Sequence, residues 1–331
     1  MFIERKLDRV ISTYIKDREI LAIVGPRQSG KTTLLKKIKD RLLNSVYINF
    51  EDPEELSLFE KRLKEFADKY MGYDYIFIDE FQHAKVGGKN LKYLYDTYPK
   101  KIIISGSSAM DLTIKAIKFL VGRILVFNLY QLNFEEFLSF RDPGLLNVYR
   151  ECRREVDLEN LVIPKIEVGE TTNLQLTRCL HEFIRWGGYP RVVLAETEEE
   201  KKIKLKNIYM TYFLRDIKDV LGLIDDYKLV RLIEAMAVQI GHIVNYQELS
   251  QVSEYAHVTL KKYLNILDKT FICQMVRPYY SNRRKEIVKN PKVYFFDTGL
   301  RNHIIDTFNT INKRSDKGQL YENFIFTELT K

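Results

Sequence analysis

The chain has 331 residues, 45% hydrophobic and 30% charged, with a formal net charge of +8; this describes a soluble globular protein of two or three domains with ample length for a buried core. The basic excess is compatible with a nucleic-acid partner but is spread over a long chain, so it points there only modestly. Cys152, Cys179 and Cys273 are too few and too scattered for a disulfide framework or a zinc site. The N-terminus MFIERKLDRVIS lacks a signal-peptide core and no apolar run is long enough for a membrane span, so the sequence predicts a cytoplasmic protein with no membrane partner.

The first informative element is LAIVGPRQSGKTTLLKKI, residues 21–38. Gly25, Gly30, Lys31 and Thr32 fit G-x-x-x-x-G-K-[ST] between an apolar strand and an amphipathic helix, the context a phosphate loop needs. The glycines allow a compact loop with inward-pointing N–H groups, Lys31 can reach the β- and γ-phosphates, and Thr32 offers a hydroxyl to Mg²⁺ at an anion-favouring helix N-terminus. The stretch Gly25, Pro26, Arg27, Gln28, Ser29, Gly30, Lys31, Thr32 and Thr33 is therefore the expected nucleotide cradle.

From residue 20 to about 130, the runs ILAIV, VYINF, YIFIDE, KIIISGSS and RILVFNL alternate with helical stretches. Such alternation predicts an α/β fold with a parallel sheet. YIFIDEF ends in Asp79 and Glu80 at the carboxyl edge of that sheet, where ligands of open α/β folds bind. Asp79 is expected to hold the Mg²⁺ shell and Glu80 to polarise the attacking water. ISGSSA brings Ser105, Ser107 and Ser108 to the same edge, where a hydroxyl could sense a phosphate; an ordinary Ser/Gly turn fits each serine equally well. Arg123, entering the fifth strand, could supply charge to the transition state in cis or to a neighbouring copy.

Residues 134 to 240 read as mostly helical, a lid following the core. Near residue 242 the pattern becomes a short helix, a turn and a longer helix with Leu260, Leu264, Leu267 and Phe271 on one face. The turn reads QVSEYAHV, without the glycine common in helix-turn-helix turns. A basic loop, RPYYSNRRKEIVKNPKVYFF, then joins two strand-like runs and completes a winged-helix pattern. Arg277 to Lys292 carries six basic residues against Glu286. Lys261, Lys262, Arg283, Arg284, Lys285 and Lys289 are the candidate nucleic-acid contacts. The reading gives a P-loop core over 1–133, a helical lid over 134–224, a winged helix over 225–298 and the start of a further domain over 299–331.

Together GPRQSGKTTLL, FIDEFQ, ISGSSA, VGRILVFNLYQLNFEEF, WGGYPRVV, YFLRDI and PKVYFFDTGLRNHI resemble the prokaryotic, especially archaeal, AAA+ type ATPases in which a P-loop core precedes a winged helix and a restriction-endonuclease-like domain. The resemblance implies a sheet order 5-1-4-3-2, ATP with Mg²⁺, and roles at Lys31, Asp79 and Glu80 that agree with those above. It also implies that GGYP is a lid motif whose Pro190 touches the nucleotide. Glu322 would be the first acidic residue of the endonuclease-like fold, whose other residues would lie beyond Lys331. The chain is thus expected to be truncated and without nuclease activity, its last helix, with Leu320, Phe324, Ile325 and Leu329, lacking a partner surface within the chain.

Two functions fit these residues. One is an ATPase acting on duplex DNA or a nucleoprotein partner, as a monomer or a homo-oligomer. The other is a regulatory ATP switch whose winged helix packs internally or binds protein. A nucleotide kinase fits less well, because Glu80 directly follows Asp79 and the hydroxyl-rich fourth strand end suits water activation.

Overall fold

The computed structural model describes residues 2–107, 117–154, 168–214 and 227–331. The chain forms two compact units, one of residues 4–130 with Phe2, the other of residues 131–331 with Ile3.

In the first unit, β1 (Ile20–Val24), β2 (Ser45–Asn49), β3 (Tyr75–Asp79), β4 (Lys101–Gly106) and β5 (Ile124–Asn128) make one parallel sheet in the order β2-β3-β4-β1-β5. Read from the other edge, this is the order 5-1-4-3-2. β1 is central, with Leu21 opposite Ile103 and Ile20 opposite Ile124, and all five of its residues are buried. A strand covered on both faces has no polar side to alternate with, which is why ILAIV is a continuous apolar run. On one face α1 (Lys6–Tyr14) and α2 (Lys31–Asp40) pack Ile11, Leu34, Leu35 and Ile38 against Leu21, Ile23, Phe77 and Ile103. Elsewhere in the unit, Phe59 meets Phe50, Phe66 and Phe81 with ring centroids 4.9–5.9 Å apart.

Buried Lys101 opens β4 and donates to the carbonyls of Tyr14, Asp17 and Glu19 at 2.7–2.8 Å. Burial pushes its ammonium down to about 8. One side chain thereby satisfies the turn between α1 and β1, where backbone acceptors have no ladder partner.

The second unit is mainly helical. α3 (Phe134–Arg141) starts at Asn133, whose side chain accepts from Glu136 N–H at 2.8 Å while Glu136 accepts from Asn133 N–H at 3.2 Å, a reciprocal cap. α4 (Pro143–Arg154), α5 (Glu170–Trp186), α6 (Pro190–Val193) and α7 (Glu198–Asn207) follow. Then come α8 (Tyr227–Val238), α9 (Tyr246–Ser253) and α10 (His257–Lys269), with an antiparallel pair, β6 (Cys273–Val276) and β7 (Lys292–Phe295). Ile243 adds an isolated bridge to Lys292. Leu260, Leu264, Leu267 and Phe271 are all buried. Glu254, at φ 57°, occupies the left-handed position after α9 that glycine commonly fills, and is held there by Tyr227 Oη at 3.0 Å and Arg231 at 2.7 Å. The segment expected to be a plain basic loop contains a short helix, α11 (Arg283–Val288).

Two distant motifs form one construction here. Gly187, at φ 78°, ends α5, and a Cβ on it would lie 2.1 Å from Asp297 Oδ1. Buried Asp297 accepts the N–H of Gly188 at 2.7 Å and of Leu300 at 2.8 Å, so it secures the GGYP turn and caps α12 (Thr298–Ile304). Its carboxyl is raised by burial, against the pull of Lys331 and these N–H groups.

The last helix, α13 (Lys317–Thr330), corrects an expectation: it has a partner surface within the chain. Leu320 is fully buried, and Phe324 packs edge-on to Phe134 and Phe183 at 5.7 and 6.0 Å. Asn323 bonds both the N–H and the carbonyl of Phe295, at 2.7 and 2.8 Å. Ile325 and Leu329 remain exposed. Glu322 accepts from Lys292 Nζ at 2.7 Å and Tyr294 Oη at 2.6 Å.

Before this helix, Asp316 accepts from Arg301 at 2.5 Å and from Arg314 at 2.7–2.8 Å. Burial pushes the Asp316 carboxyl up, but the two guanidinium groups outweigh it and hold it at about 2 against an ordinary 3.8. Stability from a depressed carboxyl is complete above its ordinary value and is lost as pH falls through the folded value. Asp316→Asn is therefore expected to lower the unfolding midpoint at neutral pH, with the gap to the parent closing from about pH 4 to pH 2. A gap unchanged by acid in thermal melts would show that the pairing is not what stabilises this corner.

Candidate functional site

The chain leaves β1 at Val24 and turns through Gly25 to Gly30 before α2 begins at Lys31. Gly25 admits no side chain, because a Cβ would lie 2.1 Å from the carbonyl oxygen of Leu129 just beyond β5. Gln28 and Gly30 take the left-handed conformation, at φ 61° and 98°. This loop conformation turns successive N–H groups toward its concave side, and the first turn of α2 adds amides that a helix cannot satisfy internally. Lys31 is buried, its ammonium donating to the carbonyls of Gly25 at 2.9 Å and Pro26 at 2.8 Å. Arg5 clamps the loop from outside, bonding the carbonyls of Ser29 and Tyr130 at 2.6 Å each.

Among the described residues, the buried Ser29 hydroxyl has no hydrogen-bond partner. Leaving such a group unpaired costs about 1–3 kcal/mol, so a phosphate oxygen fits this loop well. Thr32 Oγ1 donates to Asp79 Oδ2 at 2.6 Å, which puts a hydroxyl and a carboxylate side by side, the hard oxygen donors that suit Mg²⁺.

Buried Asp79, at the end of β3, also accepts from Tyr47 Oη at 2.7 Å and from Ser105 Oγ. Its carboxylate thus ties β2, β3, β4 and α2 together. Burial, then the bond to Asp79, raises the Tyr47 phenol. The Ser105 hydroxyl is directed at the Asp79 carboxylate.

Glu80 follows in the left-handed region, at φ 55°. Holding a non-glycine residue there costs on the order of 1–3 kcal/mol, and the turn re-aims the side chain away from that of Asp79. Gln82 Nε2 donates to Glu80 Oε2 and, at 3.0 Å, to Ser107 Oγ, while Ser107 N–H donates to Gln82 Oε1 at 3.2 Å. Ser107 therefore reaches the carboxylate of Glu80 through one carboxamide. Glu51 and His83 offer ligand atoms that, with Glu80, all lie within 4.8 Å of one another. Ser108 lies outside the described residues.

Arg123 is placed elsewhere. It precedes β5, and because β1 and β5 run parallel the residue before a strand sits at the edge opposite the phosphate loop. Its guanidinium bonds Asp96 at 2.9 Å beside the Tyr95 ring. A five-residue strand spans about 16 Å, so a role in cis is not supported. Arg123→Ala is expected to leave single-chain ATP turnover within about fivefold, since the residue stands about a strand's length from the phosphate loop and its exposed pair with Asp96 adds only about 0–1 kcal/mol of stability; a loss beyond tenfold at protein dilutions where the chain is monomeric would overturn this placement.

In the second unit Pro190 opens α6, next to the Asp297-held turn. Lys261, Lys262, Arg284 and Lys289 are exposed, the first two on α10 and Arg284 within α11, which also contains Arg283 and Lys285. Lys292, counted in the basic stretch, is neutralised by Glu322 at 2.7 Å. Sequence reasoning missed Arg5, Tyr47 and Gln82. Only Gln82 carried a signal, through its place in FIDEFQ.

Residues 17–138 match the family described as AAA domain, and residues 177–310 match a domain of unknown function (DUF8612). An uncharacterized protein of Haemophilus influenzae is 27% identical over 96% of this chain and 76% of its own length. The uncharacterized protein MJ1544 of Methanocaldococcus jannaschii is 26% identical over 98% of this chain and 69% of its own. Among solved structures, the Walker-type ATPase paby2304 of Pyrococcus abyssi superposes with a TM-score of 0.57 at 15% identity, covering 92% of this chain and 96% of that one. That likeness speaks for the fold. Among the described residues no helix is long and apolar enough to cross a membrane. The chain thus carries an AAA domain at 17–138 followed by a domain of unknown function at 177–310.

Proposed function

We propose that this chain is a Mg²⁺-dependent ATPase that couples hydrolysis to action on DNA or a nucleoprotein partner, with residues 225–298 acting as a winged helix. The observation that carries the ATPase reading is the Thr32–Asp79 hydrogen bond beside the Lys31 loop, with Glu80 one residue further on. Lys31 exchanges its two carbonyl partners for β- and γ-phosphate oxygens, a stronger, charge-assisted contact. Thr32 and Asp79 would hold Mg²⁺, which would supply charge to the phosphate oxygens. Glu80 orients and polarises the attacking water, and Gln82 positions Glu80 against Ser107. Pro190 is assigned to nucleotide sensing, and Arg123 to a partner copy's nucleotide if the chain assembles as a homo-oligomer.

The DNA side rests on the succession α8, Ile243 bridge, α9, α10, β6, β7 and on the exposed Lys261, Lys262, Arg284 and Lys289. The expected result is weak, sequence-tolerant duplex binding that falls steeply with salt, because each neutralised phosphate releases counterions. Replacing Arg283, Arg284, Lys285 and Lys289 by Ala should flatten the log–log salt slope by up to about 0.9 for each phosphate no longer neutralised. ATP turnover measured with and without duplex DNA tests the coupling. Absence of both salt-dependent binding and stimulation would favour the other reading, a regulatory ATP switch with a protein-facing module, which the Lys292–Glu322 pair already favours at one position.

A further inference from the structure

The connection from β6 to β7 exposes aromatic rings beside basic groups. Tyr279 is 88% exposed, and Tyr280 beside it 37% exposed. Pro278 precedes them, fixing the backbone, and Arg277, Arg284 and Lys289 are exposed around them. A ring left so open has no packing role to lose. Next to it is a groove of about 690 Å³ whose walls include Val276, Pro278, Tyr280 and Tyr294, with Arg277 and Lys289 among its lining residues. One wall is rigid: Tyr294 stacks on Phe326 at 4.5 Å and bonds Glu322. The acids nearby are Glu322, already paired with Lys292 and Tyr294, Glu286 on α11, and Asp268, which lines the adjoining cleft on the α10 side and is raised by burial.

Apolar, ring-bearing walls with cations among them suit a nucleobase stacked on a tyrosine with its phosphate at an arginine or lysine. Paired bases are unavailable for this, since their faces are already stacked within the duplex. Duplex backbone needs only charge, which exposed Lys261 and Lys262 on α10 offer, the one ring beside them, Tyr246, being partly buried with Lys261 over its face. We propose that the β6–β7 connection binds unpaired nucleotides, so that the preferred nucleic acid is DNA in which a duplex meets a single-stranded tail. This rests on the DNA-binding reading above and names the form of DNA that reading takes.

The test compares the full chain on blunt duplex and on the same duplex carrying a single-stranded tail, by fluorescence anisotropy at fixed salt. The tailed DNA should bind at least about fivefold tighter, the low end of what stacking one base contributes. The double variant Tyr279→Ala, Tyr280→Ala should lose that preference and keep its blunt-duplex affinity and its DNA-free ATP turnover. Tyr279→Phe with Tyr280→Phe should keep the preference, because stacking needs the ring and not the hydroxyl. Equal affinity of the parent for both DNAs, or a preference surviving the Ala variant, overturns the proposal while the blunt-duplex reading stands. No salt-dependent binding to either DNA overturns both.

Discussion

Glu80→Gln is expected to bind ATP as tightly as the parent and to hydrolyse it about 10²–10⁴-fold more slowly, the usual contribution of a positioned general base. The carboxamide has nearly the same shape and can still accept from Gln82, so the bond to that residue and the turn at φ 55° survive. What is lost is basicity toward water. Lys31→Ala should behave differently: removing the ammonium that bridges Gly25 and Pro26 takes away both the loop's internal brace and its phosphate contact, so affinity itself falls. Nucleotide titration and steady-state turnover on the two variants separate these outcomes. Parent-like turnover by Glu80→Gln would remove Glu80 from the catalytic role.

The largest expected loss of stability is at Arg301. Its side chain is 2% exposed, with the guanidinium donating to the Ala237 carbonyl at 2.7 Å and to Asp316 at 2.5 Å. Removing one member of a buried ionic network typically costs about 3–5 kcal/mol, because the remaining groups stay buried without a partner. Asp316 retains Arg314, so Arg301→Met is expected near the lower end, about 3 kcal/mol. Urea unfolding followed by circular dichroism measures this. A change below about 1 kcal/mol would mean that the methionine packs well enough to replace the network.

The nucleotide cradle and the sheet were legible because their physics is local. Ile20–Val24 had to be apolar throughout once buried on both faces, and Gly25, Gly30 and Lys31 follow from what a phosphate loop demands within a few residues. For Arg123 the rule that separates the two alternatives is topological: in a parallel sheet, the residue before a strand and the residue after it lie at opposite edges, which disfavours the role in cis and leaves the role toward a neighbouring copy. Ser105 and Tyr47 were not assignable, since nothing along the chain says that two hydroxyls on neighbouring strands converge on Asp79. Arg5 had no signal at all, its two acceptors being backbone carbonyls 24 and 125 residues away. The expectation of an unpartnered last helix failed for a related reason. α13 was judged by its own apolar residues, whereas the surface it covers is built from Phe134, Phe183 and Phe295, far upstream.

The bond from Gly188 to Asp297 closes over 109 residues, and Asn323 then seals β7 from still further along. During synthesis, therefore, the sheet of residues 20–128 has all its strands while the GGYP turn still waits for its carboxylate. The ribosome must release more than a hundred further residues before that turn can lock, so the first unit is free to fold well ahead of the second. Pro190, the residue assigned to sensing the nucleotide, belongs to the late part. A nascent chain stalled near residue 240 would carry a complete phosphate loop without the fixed element proposed to read it.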